Sequence, residues 1–334
     1  MKKVFALVLA VALSLSLVAC GGSASSAPAA SSAAEAVSST AAAGGKVGVC
    51  IYKFDDAFMT LYREELDSYL SGMGYEVTVV DGKNDQATQT EQVNTFITQG
   101  VDVLVVNLVQ SSAAPTVIEA AKAADIPVVF INREPTPEDL ASYEKCCYVG
   151  ADARQSGTFQ GEIIATTEYK GDFNGNGTVD YIMIMGDPEN IDAQYRTEFS
   201  IKALEEAGLK VNELFKQRGD WDRSKGQELA ANALTQFGDK IDVIFCNNDD
   251  MAIGAAQAIT AAGRTVGKDI YLVGVDALAE AQSMVKDGKM TGTVLNDHIG
   301  QSHTAGDCAA SFVKGELCKD DGDQNYTVDY VKVV

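Results

Sequence analysis

Five apolar runs in this chain stop abruptly at polar side chains, and those stops are where its chemistry would lie. Val47-Gly48-Val49-Cys50-Ile51 gives way to Tyr52-Lys53-Phe54-Asp55-Asp56-Ala57-Phe58 and Val105-Val106 to Asn107. Farther on, Ile244-Phe245-Cys246 ends at Asn247-Asn248-Asp249, Val273-Gly274-Val275 at Asp276, and Val294-Leu295 at Asn296-Asp297. A carboxylate beside an aromatic ring suits a polyol such as a sugar, because the acid accepts hydroxyl hydrogen bonds while the ring packs on the apolar C–H face. The amides and carboxylates that close these runs point to a neutral, hydroxyl-rich ligand. Each of them, taken singly, also fits a helix N-cap, and Asp55 and Asp56 have that competing reading before the helix that begins near Ala57.

A second stretch offers metal chemistry. Asp172-Phe173-Asn174-Gly175-Asn176-Gly177-Thr178-Val179-Asp180 puts oxygen-bearing residues Asp172, Asn174, Asn176, Thr178 and Asp180 at loop positions 1, 3, 5, 7 and 9, with glycine at 6 for the turn. That is the spacing of a calcium-binding EF-hand loop, except that position 12 is Met183 and a strand pattern follows. A Gly/Asn-rich turn without metal is the alternative.

The cysteines do not supply a zinc pattern. Cys50, Cys146, Cys147, Cys246, Cys308 and Cys318 contain no CxxC spacing, and the histidines are His298 and His303. Cys50 and Cys246 sit inside apolar runs as small core side chains, and Cys308–Cys318 is a candidate disulfide outside the cytoplasm. Nothing marks a catalytic thiol. Cys20 differs: Lys2-Lys3, an apolar stretch over 4–18 and Leu17-Val18-Ala19-Cys20-Gly21 look like a bacterial lipoprotein signal, removed before Cys20 with lipid attached to its thiol. Residues 21–45, nearly all Ser, Ala, Gly and Thr, read as a flexible tether.

The elements that must position these residues alternate strand and helix from Lys46 onward. Strand patterns cover 47–51, 77–80, 101–106, 128–131, 181–185, 211–216, 243–246, 270–275 and 293–295, with helical patterns between them and an apparent strand at 326–334. The rhythm pauses at Glu134-Pro135-Thr136-Pro137. Repeated strand–helix units imply α/β architecture with parallel sheets, and about ten strands fit two sheets better than one. In such sheets ligands bind beyond the carboxyl ends of the strands, where the polar stops lie. The formal net charge of −21 argues against nucleic acid as a partner, since phosphate binding needs basic surface.

Taken together, the five polar stops and their flanking residues resemble the galactose/glucose-binding proteins of bacterial ABC sugar transport, type I periplasmic binding proteins in lipoprotein form, across residues 46–297. The resemblance implies two Rossmann-like parallel-sheet lobes joined by hinge strands, 46–132 with 297–334 and 133–296, closing on one monosaccharide. It implies that Phe58 and Trp221 sandwich the sugar ring, that Asp56, Asn107, Asp192, Arg196, Asn248, Asp276 and Asn296 bond its hydroxyls and ring oxygen, and that Tyr52 stands at the rim. Asn190 replaces the family's histidine, which puts the choice of hexose in question. Asp242 would complete a structural Ca²⁺ site with residues 172–180, where the family has the longer Glu. The family also continues past the position of Val334, which leaves its last hinge and terminal strand in question here.

The expected partners are an ABC permease and its ATPase, with a chemoreceptor or sensor as an alternative and the membrane reached through lipid on Cys20. The expected state is a monomer held outside the cytoplasm. A sugar-responsive repressor would need an N-terminal helix-turn-helix and basic surface. A glycosidase using Asp56 and Asp276 as acid and base would need an activated water that nothing in the sequence supplies.

Overall fold

The first apolar run forms β1 (Lys46–Ile51), buried from Val47 onward because helices cover both faces of its sheet. The computed structural model describes residues 44–318 and 324–334, so the leader, Cys20 and all but the last residues of the tether lie outside the described residues. β1 pairs in parallel with β2 (Glu76–Asp81) and β3 (Val103–Val106). β4 (Val128–Ile131), β5 (Cys146–Gly150) and, much later, β11 (Asn325–Thr327) extend the sheet in the order β2-β1-β3-β4-β5-β11.

One face of that sheet is covered by α1 (Ala57–Gly72) and α10 (His298–Val313), whose Met59, Leu66, Ala305 and Phe312 pack on Val49, Ile51, Val103 and Val105. The other face is covered by α2 (Gln86–Gln99), α3 (Ala114–Ala123) and the short α4 (Pro137–Ala141) through Val93, Phe96, Val117, Ile118 and Leu140.

A second sheet repeats the plan. β6 (Val179–Met185) lies between β7 (Val211–Arg218) and β8 (Val243–Cys246), and β9 (Tyr271–Val273) follows β8, all parallel. Around it run α5 (Ala153–Ala165), α6 (Ile191–Glu206), α7 (Arg223–Phe237), α8 (Asp249–Ala261) and α9 (Ala279–Lys286). β10 (Thr293–Leu295) joins through the bridges Val273–Gly292 and Asp276–Leu295, and β12 (Val331–Val333) pairs antiparallel with β10. In both sheets strand order reverses between the first and third strands of the lobe. At such a switch point, beyond the strand ends, a crevice opens.

The lobe boundary differs from the expected 132/133. The Pro-rich pause is not a linker: Thr136 and Asp139 make a reciprocal capping box with Pro137 at the first turn of α4, so the chain turns and returns as β5 beside β4. The first lobe therefore runs to about residue 150. The expected terminal strand is two short strands in different lobes, because β11 pairs with β5 and β12 with β10. Residues 298–318 and 324–327 thus belong to the first lobe and 331–334 to the second. The chain passes between lobes three times, near 151, 296 and 329, so a third crossing and a terminal strand are present. α10, which the sequence pattern did not mark, packs on α1.

Candidate functional site

The ends of β1, β6 and β8 lead to helices whose N-cap residues, Asp56, Asn190 and Asn248, line the cleft. In the first lobe Asp56 caps α1, its Oδ1 accepting the Met59 N–H at 2.7 Å. Its Oδ2 accepts the Tyr52 hydroxyl, and Arg133 stacks on the Tyr52 ring with 4.1 Å from guanidinium carbon to centroid. Arg133 also donates to the Val109 carbonyl and reaches across the cleft to Asp187 of the second lobe at 3.8 Å. Phe58, one residue into α1's first turn, is buried with its ring edge-on to His298.

The second lobe presents a denser network. α5 and α6 approach closely through glycine: a Cβ on Gly157 would stand 2.9 Å from the Arg196 carbonyl oxygen, so only a bare backbone lets α6 bring Arg196 to the cleft. Arg196 donates to the Asn247 carbonyl at 2.8 Å and to the Tyr330 hydroxyl at 3.0 Å, with Asp192 at 3.8 Å and Asp276 at 4.0 Å. Burial opposes its charge, but Tyr330, Asp276 and Asp192 hold its pKa above the ordinary value. Burial pushes Asp192 up to about 6 against the pull of Arg196, and it pushes Asp276 well above the carboxylate range. Arg196 Nε, fully buried, has no hydrogen-bond partner, a donor left over for a ligand.

Trp221 stands between Asp220 and Asp222 with φ of 64°, a left-handed conformation that non-glycine residues rarely adopt. Its indole lies flat on Gly186, where a Cβ would come within 2.2 Å of the ring. Asp276 has φ of 120° and Asn132 of 62°. Backbone strain of this kind gathers at ligand sites, where the surrounding structure holds it in place.

Nine of the eleven expected contact residues line one cleft: Asp56, Phe58, Asn190, Asp192, Arg196, Trp221, Asn248, Asp276 and Asn296. The free space left between these side chains is about 30 Å³, room for one or two waters, so a sugar enters only if the lobes part. Tyr52 lines the wider mouth outside it, with Arg133, Asp187 and Trp221. Asn107 does not line the cleft. Its carboxamide is committed to the Tyr52 N–H, the Ile131 carbonyl and the Asn132 side chain, because the end of β3 lies one layer behind the wall, and Asn132 and Arg133 take its place there. Asn190 caps α6 with its carbonyl oxygen on the Asp192 N–H at 3.0 Å, which leaves its amide N–H groups to donate into the cleft. Asn248 caps α8 with its carbonyl oxygen on the Met251 N–H at 3.0 Å, and its amide donates to the Trp221 carbonyl at 3.4 Å.

Sequence reasoning missed Arg133, Asn132, Met59 and Tyr330. The end of the 128–131 run at Asn132-Arg133 was a readable polar stop. Tyr330 carried no signal, since only the third crossing brings it beneath Arg196.

The loop 172–180 wraps its own carboxylates. Asp172 accepts the Asn176 and Gly177 N–H groups, and Asp242 accepts those of Phe173, Asn174 and Asp180. Asp242 is fully buried, and burial pushes it up to about 6, with Asp180 adding to the rise. Three carboxylates with the Asn174 and Asn176 amides form an oxygen-rich set, one of whose members is held away from water at a cost in charge. That donor chemistry fits a hard divalent cation, which would be held by Asp172, Asn174, Asn176, Thr178, Asp180 and Asp242. No disulfide joins the six described cysteines, Cys308 and Cys318 included.

Comparison with known proteins places this geometry in context. Residues 47–317 match the periplasmic binding protein domain family. The chain is 37% identical over 281 residues to the D-galactose/methyl-galactoside binding periplasmic protein of Haemophilus influenzae, covering 82% of this chain and 83% of the relative. It is 34% identical over 279 residues to a putative rhizopine-binding protein of Rhizobium meliloti, covering 83% and 87%. Among solved structures it is similar to an ABC transporter solute binding protein from Bacillus halodurans with bound myo-inositol. That likeness has a TM-score of 0.76 and 28% identity, over 87% of this chain and 95% of the other.

Proposed function

The chain belongs to the periplasmic binding protein family, and from that premise we propose that it captures D-galactose or D-glucose between its lobes and delivers it to an ABC permease. At the coarser level it is a sugar-binding, extracytoplasmic component of ABC transport and not an enzyme. The observation that carries the hexose reading is the pairing of Phe58 and Trp221 on opposite walls of one cleft whose remaining lining is amide, carboxylate and guanidinium. Rings on both walls suit the C–H faces of a pyranose, and the polar groups between them suit its hydroxyls. Arg196 Nε and the Asn190 amide supply donors, while Asp56, Asp192 and Asp276 supply acceptors.

A second reading, a pentose or a cyclitol in the same cleft, is favoured by Asn190. A carboxamide tied to the α6 cap reaches less far than an imidazole, so the hydroxymethyl oxygen of a hexose would be met through a bridging water, at an entropic cost of about 0–2 kcal/mol. Titration calorimetry of the unliganded protein with galactose, glucose, xylose, ribose and myo-inositol decides between the two. The hexose reading expects one site per chain, glucose tighter than xylose, and a wider margin in Asn190→His. Xylose or myo-inositol binding as tightly as either hexose, with Asn190→His weakening every hexose tenfold, would replace it by the second reading.

Two further parts of the proposal concern attachment and stability. Lipid on Cys20 would anchor the receptor to the membrane through the tether 21–45. Residues 172–180 with Asp242 would bind Ca²⁺ structurally, since they lie on the second lobe away from the cleft. Calcium at a hundred times its dissociation constant should add about 2.7 kcal/mol to stability. Thermal unfolding with and without chelator reads this directly, and an unchanged Tm would reduce the loop to a turn.

A further inference from the structure

Three cysteines distant in sequence meet inside the first lobe, on the far side of the sheet ends from the sugar cleft. Cys147 lies on β5, Cys308 on α10 and Cys318 beyond the end of that helix. Their sulfurs all lie within 4.8 Å of one another, and those of Cys147 and Cys318 are 3.5 Å apart. A disulfide would need about 2.05 Å. Sulfurs sharing one ion at about 2.3 Å each would stand roughly 3.8–4.0 Å apart, which lies within this spread. Among the described residues this is the one group of three His, Cys, Asp or Glu side chains gathered so closely.

A second observation points into the same cluster. Tyr62 of α1 is fully buried, its hydroxyl has no hydrogen-bond partner, and the ionisable groups that act on it are Cys308 and Cys147. An unpaired buried hydroxyl costs about 1–3 kcal/mol, so an oxygen held there without a partner calls for one. Small core packing accounts for a buried cysteine singly, but not for three brought together around an orphaned phenol.

We propose that Cys147, Cys308 and Cys318 form a thiolate site for one thiophilic d¹⁰ metal ion of the zinc class, with the Tyr62 oxygen as a fourth donor. Binding displaces the three thiol protons to solvent, and the ion's charge replaces them. Burial raises the Cys147 thiol above its ordinary range, so uptake weakens as pH falls. Cys318 is half-buried and opens the route in. An ion there would tie β5 to α10 and to the chain returning toward β11, bracing the first lobe next to two of its three crossings.

The test uses the full chain purified under reductant and titrated with Cd²⁺ alone as a spectroscopic probe, then with Zn²⁺ as competitor. A sulfur-to-cadmium ultraviolet band that saturates at one ion per chain and is displaced by Zn²⁺ is expected. Cys318→Ser and Cys308→Ser should abolish it, Tyr62→Phe should weaken binding about tenfold, and Cys20→Ser, Cys50→Ser and Cys246→Ser should leave it intact. Cys318 lies outside any helix or strand, so its variant folds even if Cys308→Ser does not, and sugar titration of Cys318→Ser should match the parent. Absence of a saturable band, a band that survives Cys318→Ser, or a Cys147–Cys318 linked peptide two hydrogens lighter in the reduced-and-purified chain would overturn the site.

Discussion

The two walls of the cleft are built from the same parts and bonded differently. Each lobe offers one large aromatic ring, Phe58 or Trp221, one arginine stacked on aromatic side chains, Arg133 or Arg196, and helix caps whose side chains face inward. Arg196 finds its partners within its own lobe or on Tyr330, just before the strand that returns to that lobe. Arg133 instead reaches over to Asp187 on the opposite lobe. The second wall is thus a preorganised polar surface that exists whether or not the lobes meet, whereas part of the first wall's bonding exists only when they do. A ligand would dock on the second wall and be covered by the first.

Substitutions sharpen that contrast in order of expected size. Arg196→Met leaves Asp192 and Asp276 buried without their cation, and breaking a buried pair in this way costs about 3–5 kcal/mol. Denaturant unfolding should show that loss in the unliganded protein, with no sugar present. Next, Trp221→Ala should weaken hexose binding by about 2–3 kcal/mol through lost apolar contact, read by calorimetry. Phe58→Ala should cost similar affinity but additional folding stability, because Phe58 also packs in the first-lobe core with Tyr62. The smallest effect belongs to Arg133→Met. Its pair with Asp187 is long, and within its own lobe it donates to the buried Val109 carbonyl and stacks on Tyr52, so about 1 kcal/mol of open-form stability should be lost together with a smaller loss of ligand affinity. If Arg133→Met destabilises the unliganded protein as much as Arg196→Met, the two walls are not different in kind.

Much of this was legible in the sequence, and the failures have physical reasons. Strands buried on both faces read as unbroken apolar runs, so β1, β3, β4 and β8 stood out, and with them the polar residues at their ends. β5 was hidden because Cys146-Cys147-Tyr148-Val149-Gly150 follows a Pro-rich segment that mimics a linker, and only pairing with β4 places it in the first lobe. β11 and β12 looked like one strand because local pattern cannot say which sheet a strand will join. Asn107 illustrates the same limit at the site: a polar residue at a strand end is well placed for a ligand, yet tertiary contacts decide whether it faces the cleft or braces the residue that does. The thiol cluster lay beyond sequence reasoning altogether, since its members are 161 and 10 positions apart and share no motif spacing.

Solution X-ray scattering of the full chain, measured with and without saturating D-galactose, tests most directly the claim that the first lobe closes over a sugar held by the second. The account predicts that the radius of gyration falls when the sugar is added and that Arg133→Met reduces the fraction closed at subsaturating sugar. A radius unchanged at sugar concentrations where calorimetry records full binding would contradict it.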